Sequence, residues 1–311
     1  MKSSSKAAVP RSPVSPMAGY LRQLASPDGF SPTALPNVFL MRSTKTYPYS
    51  AVSYEPSIVL IAQGCKNGRL GDRAFRYDAR NYLVLSLPLP FECQTLGTPE
   101  EPMLGLSIRV DPATVAELLL KMDALPPTAE GSPNAIDSVP VTAELGEASV
   151  RLARSLLSPR DAAILGPQTI REIAYHALLG GQGASLRALV TPQSTLGQIA
   201  RALRRIHADY AETLDVGLLA REAGMSVSTF HAKFKAITAK PPLHYLQTIR
   251  LHKAQVLLVA GETVSAASRR VGYESASQFS REFKRLFGGT PKEVASRNRD
   301  ARGSRGALAT A

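Results

Sequence analysis

One short pattern occurs twice in the last hundred residues, about 49 positions apart. The first copy, LAREAGMSVSTFHAKFK, runs from Leu219 to Lys235, and the second, AASRRVGYESASQFSREFK, from Ala266 to Lys284. Gly224 answers Gly272, Phe230 answers Phe279, Phe234 answers Phe283, Lys235 answers Lys284 and Pro242 answers Pro291. Each copy reads as a short apolar helix, a glycine turn and a second helix with a basic, polar outer face. That is the grammar of a helix-turn-helix, whose second helix is shaped to lie in a DNA groove.

The flanking residues give both copies their punctuation. A lead-in helix is predicted over Leu196–His207, with Ile199, Leu203 and Ile206 on one face. Asp215 caps the next helix, whose Leu218, Leu219 and Ala223 pack inward, and Gly224 supplies a turn that needs a positive φ. Ser226 caps the second helix; Phe230 and Phe234 face the core, leaving Ser228, Thr229, His231, Ala232 and Lys235 outward. Pro241 or Pro242 opens a long helix to about Val259, which at 1.5 Å per residue spans roughly 25 Å. Gly261 stops it, Thr263 caps the second unit, Gly272 turns and Ser275 starts the last major helix. There Ser277, Gln278, Arg281, Lys284 and Arg285 point outward. Successive major grooves on one face of DNA lie about 34 Å apart, so one chain carrying both units can address two turns of duplex. Gln pairs with adenine and Arg with guanine, while Lys235, Lys284 and Arg285 suit phosphates. The outward residues of the first copy are smaller, so the second copy is expected to carry more of the hydrogen-bond readout.

The charge distribution agrees. From Arg201 onward there are 19 Lys/Arg against 9 Asp/Glu, compared with 37 against 25 in the whole chain. Nearly all of the net charge of +12 therefore sits in the last third, with the doubled motif. A basic field placed there fits phosphate binding.

The front of the 311-residue chain reads differently. Strand-like runs Ser57–Ile61, Arg69-Leu70, Ala74–Tyr77, Tyr82–Leu87, Phe91–Thr95 and Met103–Val110 alternate with turn signals. They predict a small antiparallel sheet or barrel. Asp111-Pro112 then starts a helix with Val115, Leu118, Leu119 and Met122 at helical spacing, and Leu145–Leu157 and Gln168–Leu179 give two more. Gly180–Ser185 reads as a flexible linker. Of the five histidines, His176, His207, His231, His244 and His252, none lies in the strand region, which excludes a histidine-liganded metal barrel. No phosphate-binding glycine loop or serine elbow is present, so no catalytic residue, metal ligand or cofactor is assigned. Arg69, Arg73, Tyr77, Tyr82 and Glu92 are polar candidates either to line a ligand cavity or to sit on its surface and rim. Cys65 and Cys93 are too few for a disulfide framework; they read as buried strand residues or, alternatively, as a redox sensor with Cys65 as an exposed thiolate. No apolar run is long enough to span a bilayer, and the Ser/Pro-rich start lacks a signal-peptide core. A cytoplasmic, nucleoid-associated location is expected.

The segment Ile249–Val294, and above all GYESASQFSREFKRLFGGTP, resembles the signature region of the AraC/XylS-type transcription regulators. The first copy matches in register. YEPSIVLIAQGCKNGRLGDRAFRYDARNYLVLSLPLPFE is more loosely similar to that family's N-terminal sensor domain. The resemblance implies base-contacting roles for Ser228, His231, Ala232, Ser277, Gln278 and Arg281. Long polar residues are frequent in the family at the site of Ala232, whose methyl can still meet a thymine methyl. It also implies promoter DNA and a small-molecule effector as partners, with RNA polymerase and a second copy of the chain as further candidates. The expected fold class is α+β: a small, cupin-like antiparallel β-barrel with following helices, then an all-α domain of two helix-turn-helix units joined by a long helix. Expected boundaries are a disordered tail at 1–18, a ligand-sensing and dimerisation domain at 19–185, a linker at 186–196, the DNA-binding domain at 197–298 and a basic tail at 299–311. An enzyme fused to a DNA-binding domain is the other class of reading; its alkyl-transfer form requires a cysteine cluster that two cysteines do not supply.

Overall fold

A computed structural model of the chain describes residues 15–24, 26–122 and 134–296. A helix, α1 (Pro16–Gln23), precedes ten strands: β1 (Gly29–Pro32), β2 (Val38–Ser43), β3 (Tyr47–Tyr54), β4 (Ser57–Gln63), β5 (Cys65–Leu70), β6 (Arg73–Asp78), β7 (Asn81–Leu85), β8 (Leu89–Leu96), β9 (Met103–Arg109) and, after α2 (Pro112–Leu120), β10 (Ile136–Pro140). All pairings are antiparallel, in the order β1-β2-β9-β4-β7-β6-β5-β8-β3, with β10 also paired to β7. The end strands β1 and β3 do not pair, so the sheet curls into a half-barrel; an edge-to-face contact of Phe30 with Tyr54, 5.4 Å between ring centres, spans the opening.

The unbroken apolar run of β4 follows from burial on both faces. Val59 and Ile61 enter one core, whereas Ile58, Leu60 and Ala62 enter a second core against α1, α3 (Ala143–Ser155), α4 (Pro159–Leu179) and α5 (Gly183–Ala188). Asp111 caps α2 by accepting from the backbone N–H of Ala113 and Thr114, with Pro112 in the first turn.

Three expectations are corrected here. Residues 16–18, assigned to the tail, form the first turn of α1, because Met17 and Ala18 pack into the second core; residues 1–14 and 297–311 lie outside the described residues. Gly180–Ser185 and the start of the 186–196 linker are packed: α5 occupies 183–188, and Gly183, Ser185 and Leu186 are buried. A Cβ on Gly183 would stand 1.9 Å from the Leu178 carbonyl oxygen, so this glycine permits close approach and not flexibility. Helix α4 begins at Pro159, well before Gln168, and carries Pro167 within it. A proline ordinarily ends a helical pattern, so the sequence signal for this helix is clear only beyond Pro167.

The helical remainder follows its punctuation. The elements are α6 (Thr195–Ala208), α7 (Val216–Glu222), α8 (Val227–Thr238), α9 (Pro242–Ala260), α10 (Val264–Arg270) and α11 (Ala276–Phe287). Asp215, Ser226, Thr263 and Ser275 each cap their helix through a side-chain oxygen, as does Ser194 for α6. Gly224, Gly261 and Gly272 adopt φ of +69°, +103° and +83°. Helix α9 belongs to two cores. Tyr245, Leu246 and Ile249 join α6, α7, α8 and the half-barrel residues Val59, Tyr77 and Phe91 in the first, while Leu251, Ala254 and Leu258 pack with Val271, Phe279 and Phe283 in a third. Among the described residues no helix is long and apolar enough to cross a membrane, and no group of three or more His, Cys, Asp or Glu side chains could hold a metal ion.

Candidate nucleic-acid interface

The core side of each motif fixes its outer side. Phe230 and Phe234 of α8, and Phe279 and Phe283 of α11, are fully buried. With the helix phase set, Ser228, His231, Ala232 and Lys235 on α8, and Ser277, Gln278, Arg281, Lys284 and Arg285 on α11, are all exposed. On α8 the further cation Lys233 donates to Thr195 Oγ1 at 3.1 Å, tying the helix to α6. On α11 the Gln278 amide donates to Glu282 at 3.0 Å, and Glu282 accepts from the Tyr273 hydroxyl at 2.6 Å.

The turn of the second unit is held by a residue that the motif does not advertise. The Arg250 guanidinium donates to the carbonyls of Tyr210 at 2.7 Å, Gly272 at 2.9 Å and Glu212 at 2.9 Å. It thereby ties the second glycine turn to the segment that leaves α6. Gly272 also needs its missing side chain, since a Cβ there would lie 2.3 Å from the Ala211 carbonyl oxygen.

The two domains meet through a hydrogen bond as well as apolar contact. Tyr245 donates its hydroxyl to the Pro88 carbonyl of the half-barrel. Its one proton being spent, the His207 Nε2 at 2.8 Å from that hydroxyl is the donor in their contact. A cleft of about 270 Å³ lies beside this junction, lined by Arg69, Leu70 and Glu92 from the half-barrel and by Lys240, His252 and Leu286 from the helices. A second opening, of about 310 Å³, lies at the mouth of the half-barrel against Phe30, Phe39, Tyr54, Ser57 and Arg109. The Ser57 hydroxyl there is buried without a hydrogen-bond partner.

Of the polar cavity candidates, then, Arg69 and Glu92 do line a cleft, but one between domains. Arg73 instead donates to Asn134 Oδ1 at 2.8 Å and to the Ile136 carbonyl, securing β10. Tyr77 and Tyr82 are buried within the cores, not on a rim. The activated-thiol reading of Cys65 is overturned: both cysteines are buried, and burial pushes both thiols up, the opposite of a stabilised thiolate. Cys65 pairs with Leu96 and Cys93 with Gly68, three positions apart along neighbouring strands. That separation, roughly 10 Å, is too long for a disulfide.

His252, at this junction, is expected to make folding stability depend on pH. Burial, aided by nearby Lys240, lowers its imidazole from 6.5 to about 4, and its buried Nε2 has no hydrogen-bond partner. A group that resists protonation in the folded state carries no penalty above the unfolded value; below it the unfolded chain binds the proton first. Stability is thus expected to fall as pH drops from 6.5 to about 4, by up to about 3 kcal/mol. Urea unfolding across that window checks this: the His252→Gln variant should show a flatter acid limb, and an unchanged limb would sink the assignment.

A family model for the N-terminus of AraC-type transcriptional regulators matches residues 34–185, and one for a helix-turn-helix domain matches residues 219–297. The chain belongs to the AraC-type transcriptional regulators. It is 35% identical over 144 residues to an AraC-like transcription regulator of Streptomyces lividans, covering 45% of this chain and 44% of that one. It is 37% identical over 108 residues to the transcriptional regulator AlkR of Acinetobacter baylyi, covering 34% of each. The chain thus matches less than half the length of these curated relatives. The fold is also that of ToxT from Vibrio cholerae, crystallised with an unsaturated fatty acid bound: TM-score 0.59 at 14% identity, covering 83% of this chain and 93% of that one. The AraC-type N-terminal region is thus the half-barrel with its helices, and the matched helix-turn-helix domain spans α7 to α11.

Proposed function

We propose that this AraC-type chain regulates transcription by binding promoter DNA through α8 and α11 in successive major grooves. The observation that carries the reading is the shared phase of the two recognition helices. Fully buried phenylalanines on one side leave Ser228, His231, Ala232, Ser277, Gln278 and Arg281 exposed on the other, with Lys235, Lys284 and Arg285 beside them for phosphates. Arg281 offers a bidentate fork for guanine, and Ala232 offers only a methyl. The second unit therefore supplies most of the hydrogen-bonded specificity.

In this reading effector control acts at the cleft between the domains. Its walls come from both the half-barrel and the DNA-binding helices, so a molecule that fits one relative placement better than another shifts the population of DNA-binding geometries. The fatty acid held by ToxT supports a small-molecule effector in a chain of this fold. In this reading the chain is not an enzyme, it works in the cytoplasm on the nucleoid, and RNA polymerase and a second copy of itself are further partners.

Arg281→Ala is expected to cost about 1–3 kcal/mol of specific binding while leaving affinity for random duplex nearly unchanged. Electrophoretic titration against both DNAs checks this, and equal loss on the two would count against base readout. Genome-wide mapping of bound sites would point, through the adjoining operon, to the chemistry of the effector. A uniform spread of binding would overturn the proposal.

A further inference from the structure

We infer that Glu282 is a positioning residue that fixes which way the Gln278 amide faces and so sets the base that α11 prefers. The inference rests on the reading of α11 as a base-contacting helix and goes beyond it.

A glutamine amide carries a carbonyl acceptor and an amino donor at nearly equal positions, and a rotation about its last bond exchanges them. A free, exposed glutamine can therefore offer either order to a base edge. Gln278 is exposed near the start of α11, but its nitrogen donates to Glu282 Oε1 at 3.0 Å, one helical turn on. A carboxylate only accepts, so this contact admits one orientation: nitrogen toward Glu282, oxygen away from it. Glu282 is itself held, since its other oxygen accepts from the Tyr273 hydroxyl at 2.6 Å. Tyr273 cannot wander, being buried with its ring edge-on against Phe279 at 5.3 Å between centres. The order runs from the packed core, through a phenol and a carboxylate, to an amide at the surface.

The chemical consequence lies in the major groove. Adenine presents a donor at N6 beside an acceptor at N7, which matches a carbonyl oxygen beside an amino group. Guanine presents two acceptors, O6 and N7, so the adenine pose would set the amide carbonyl against O6, and relief requires the amide to turn its amino group there. With its nitrogen tethered, Gln278 keeps its carbonyl and one N–H for adenine and loses the freedom to accommodate guanine. Glu282 contributes by excluding the wrong base, although it contacts no base itself.

The test uses the full chain and a duplex selected from random sequence, with the base pair read by Gln278 found by single-base substitution. Wild type should favour adenine over guanine at that pair, and Gln278→Ala should abolish the preference. Glu282→Gln, of the same shape but able to donate as well as accept, should reduce the adenine-to-guanine affinity ratio by about fivefold. Tyr273→Phe, which leaves the ring in place and frees the carboxylate, should reduce it in the same direction. Because Glu282→Gln also removes a negative charge and raises affinity for all DNA, the ratio is the quantity to compare, with circular dichroism confirming an unchanged fold. If Gln278→Ala leaves the base profile unaltered at every position, the base-contact reading fails. If Gln278→Ala alters one position but Glu282→Gln leaves the ratio there unchanged, this inference alone is overturned.

Discussion

Phe283→Ala should unfold the second helix-turn-helix unit and spare the half-barrel, whereas Phe234→Ala, at the matching position of the first copy, should destabilise the half-barrel with it. Both rings are fully buried, and truncating a buried phenylalanine costs about 3–5 kcal/mol. The difference lies in what shares each core. Phe234 sits 5.5 Å, ring centre to ring centre, from Tyr245, in a core that continues through Leu203 and Leu89 into the sheet. Phe283 packs with Phe279 at 5.6 Å and Phe287 at 4.6 Å, in a small core that holds no residue of the sheet. A loss of that size exceeds what so small a unit can absorb, but it need not propagate. Hydrogen exchange followed by mass spectrometry reads the outcome directly. The Phe283 variant should lose protection over α10 and α11 alone, and the Phe234 variant should lose it over α6 to α8 and the strands facing them. Identical exchange patterns for the two variants would show one cooperative unit instead.

Arg250→Ala should cost about 3 kcal/mol in the same second unit and abolish specific DNA binding. Three carbonyls, those of Tyr210, Glu212 and Gly272, would lose a charged donor together. Arg250→Lys should recover little, because an ammonium on a flexible stem cannot reproduce a planar fork spread over three acceptors. Urea unfolding and DNA titration of the two variants decide the point. Full rescue by lysine would reduce the interaction to simple charge.

Why one of these residues was visible in the sequence and the other was not is a matter of periodicity. Phe283 and Phe234 announce themselves because helix phase relates them to their neighbours and the motif repeats. The caps Asp215, Ser226, Thr263 and Ser275 and the turns at Gly224 and Gly272 were legible for similar local reasons: a hydroxyl or carboxylate before an apolar helix, or a residue that tolerates positive φ. Strands β4, β7 and β9 could be read from their apolar runs. Strands β1, β2 and β3 could not be read so easily; β1 has four residues ending in proline, and β3 is an edge strand whose outer residues are largely exposed. Arg250 was invisible because its partners are backbone carbonyls 22 to 40 residues away, and carbonyls leave no signature in a sequence. Helix phase gave the outward positions and the family resemblance the base-reading ones among them, but the tether on Gln278 required knowing that Tyr273 is buried and aimed at Glu282. The cleft lined by Arg69, Glu92, Lys240 and His252 depends on how two domains meet, which no local pattern encodes.

The division of α9 between two cores has a consequence for re-addressing such a protein. Its seam lies where Ile249 gives way to Leu251, inside a continuous helix and not at the Gly261 turn that ends it. A graft made at Gly261 would separate Leu251, Ala254 and Leu258 from the phenylalanines they pack against. A graft made at Arg250 would carry that buried core whole, together with the guanidinium that staples it to the host carbonyls of Tyr210 and Glu212. A new DNA address could then be installed on an unaltered sensor, with the helix itself as the splice.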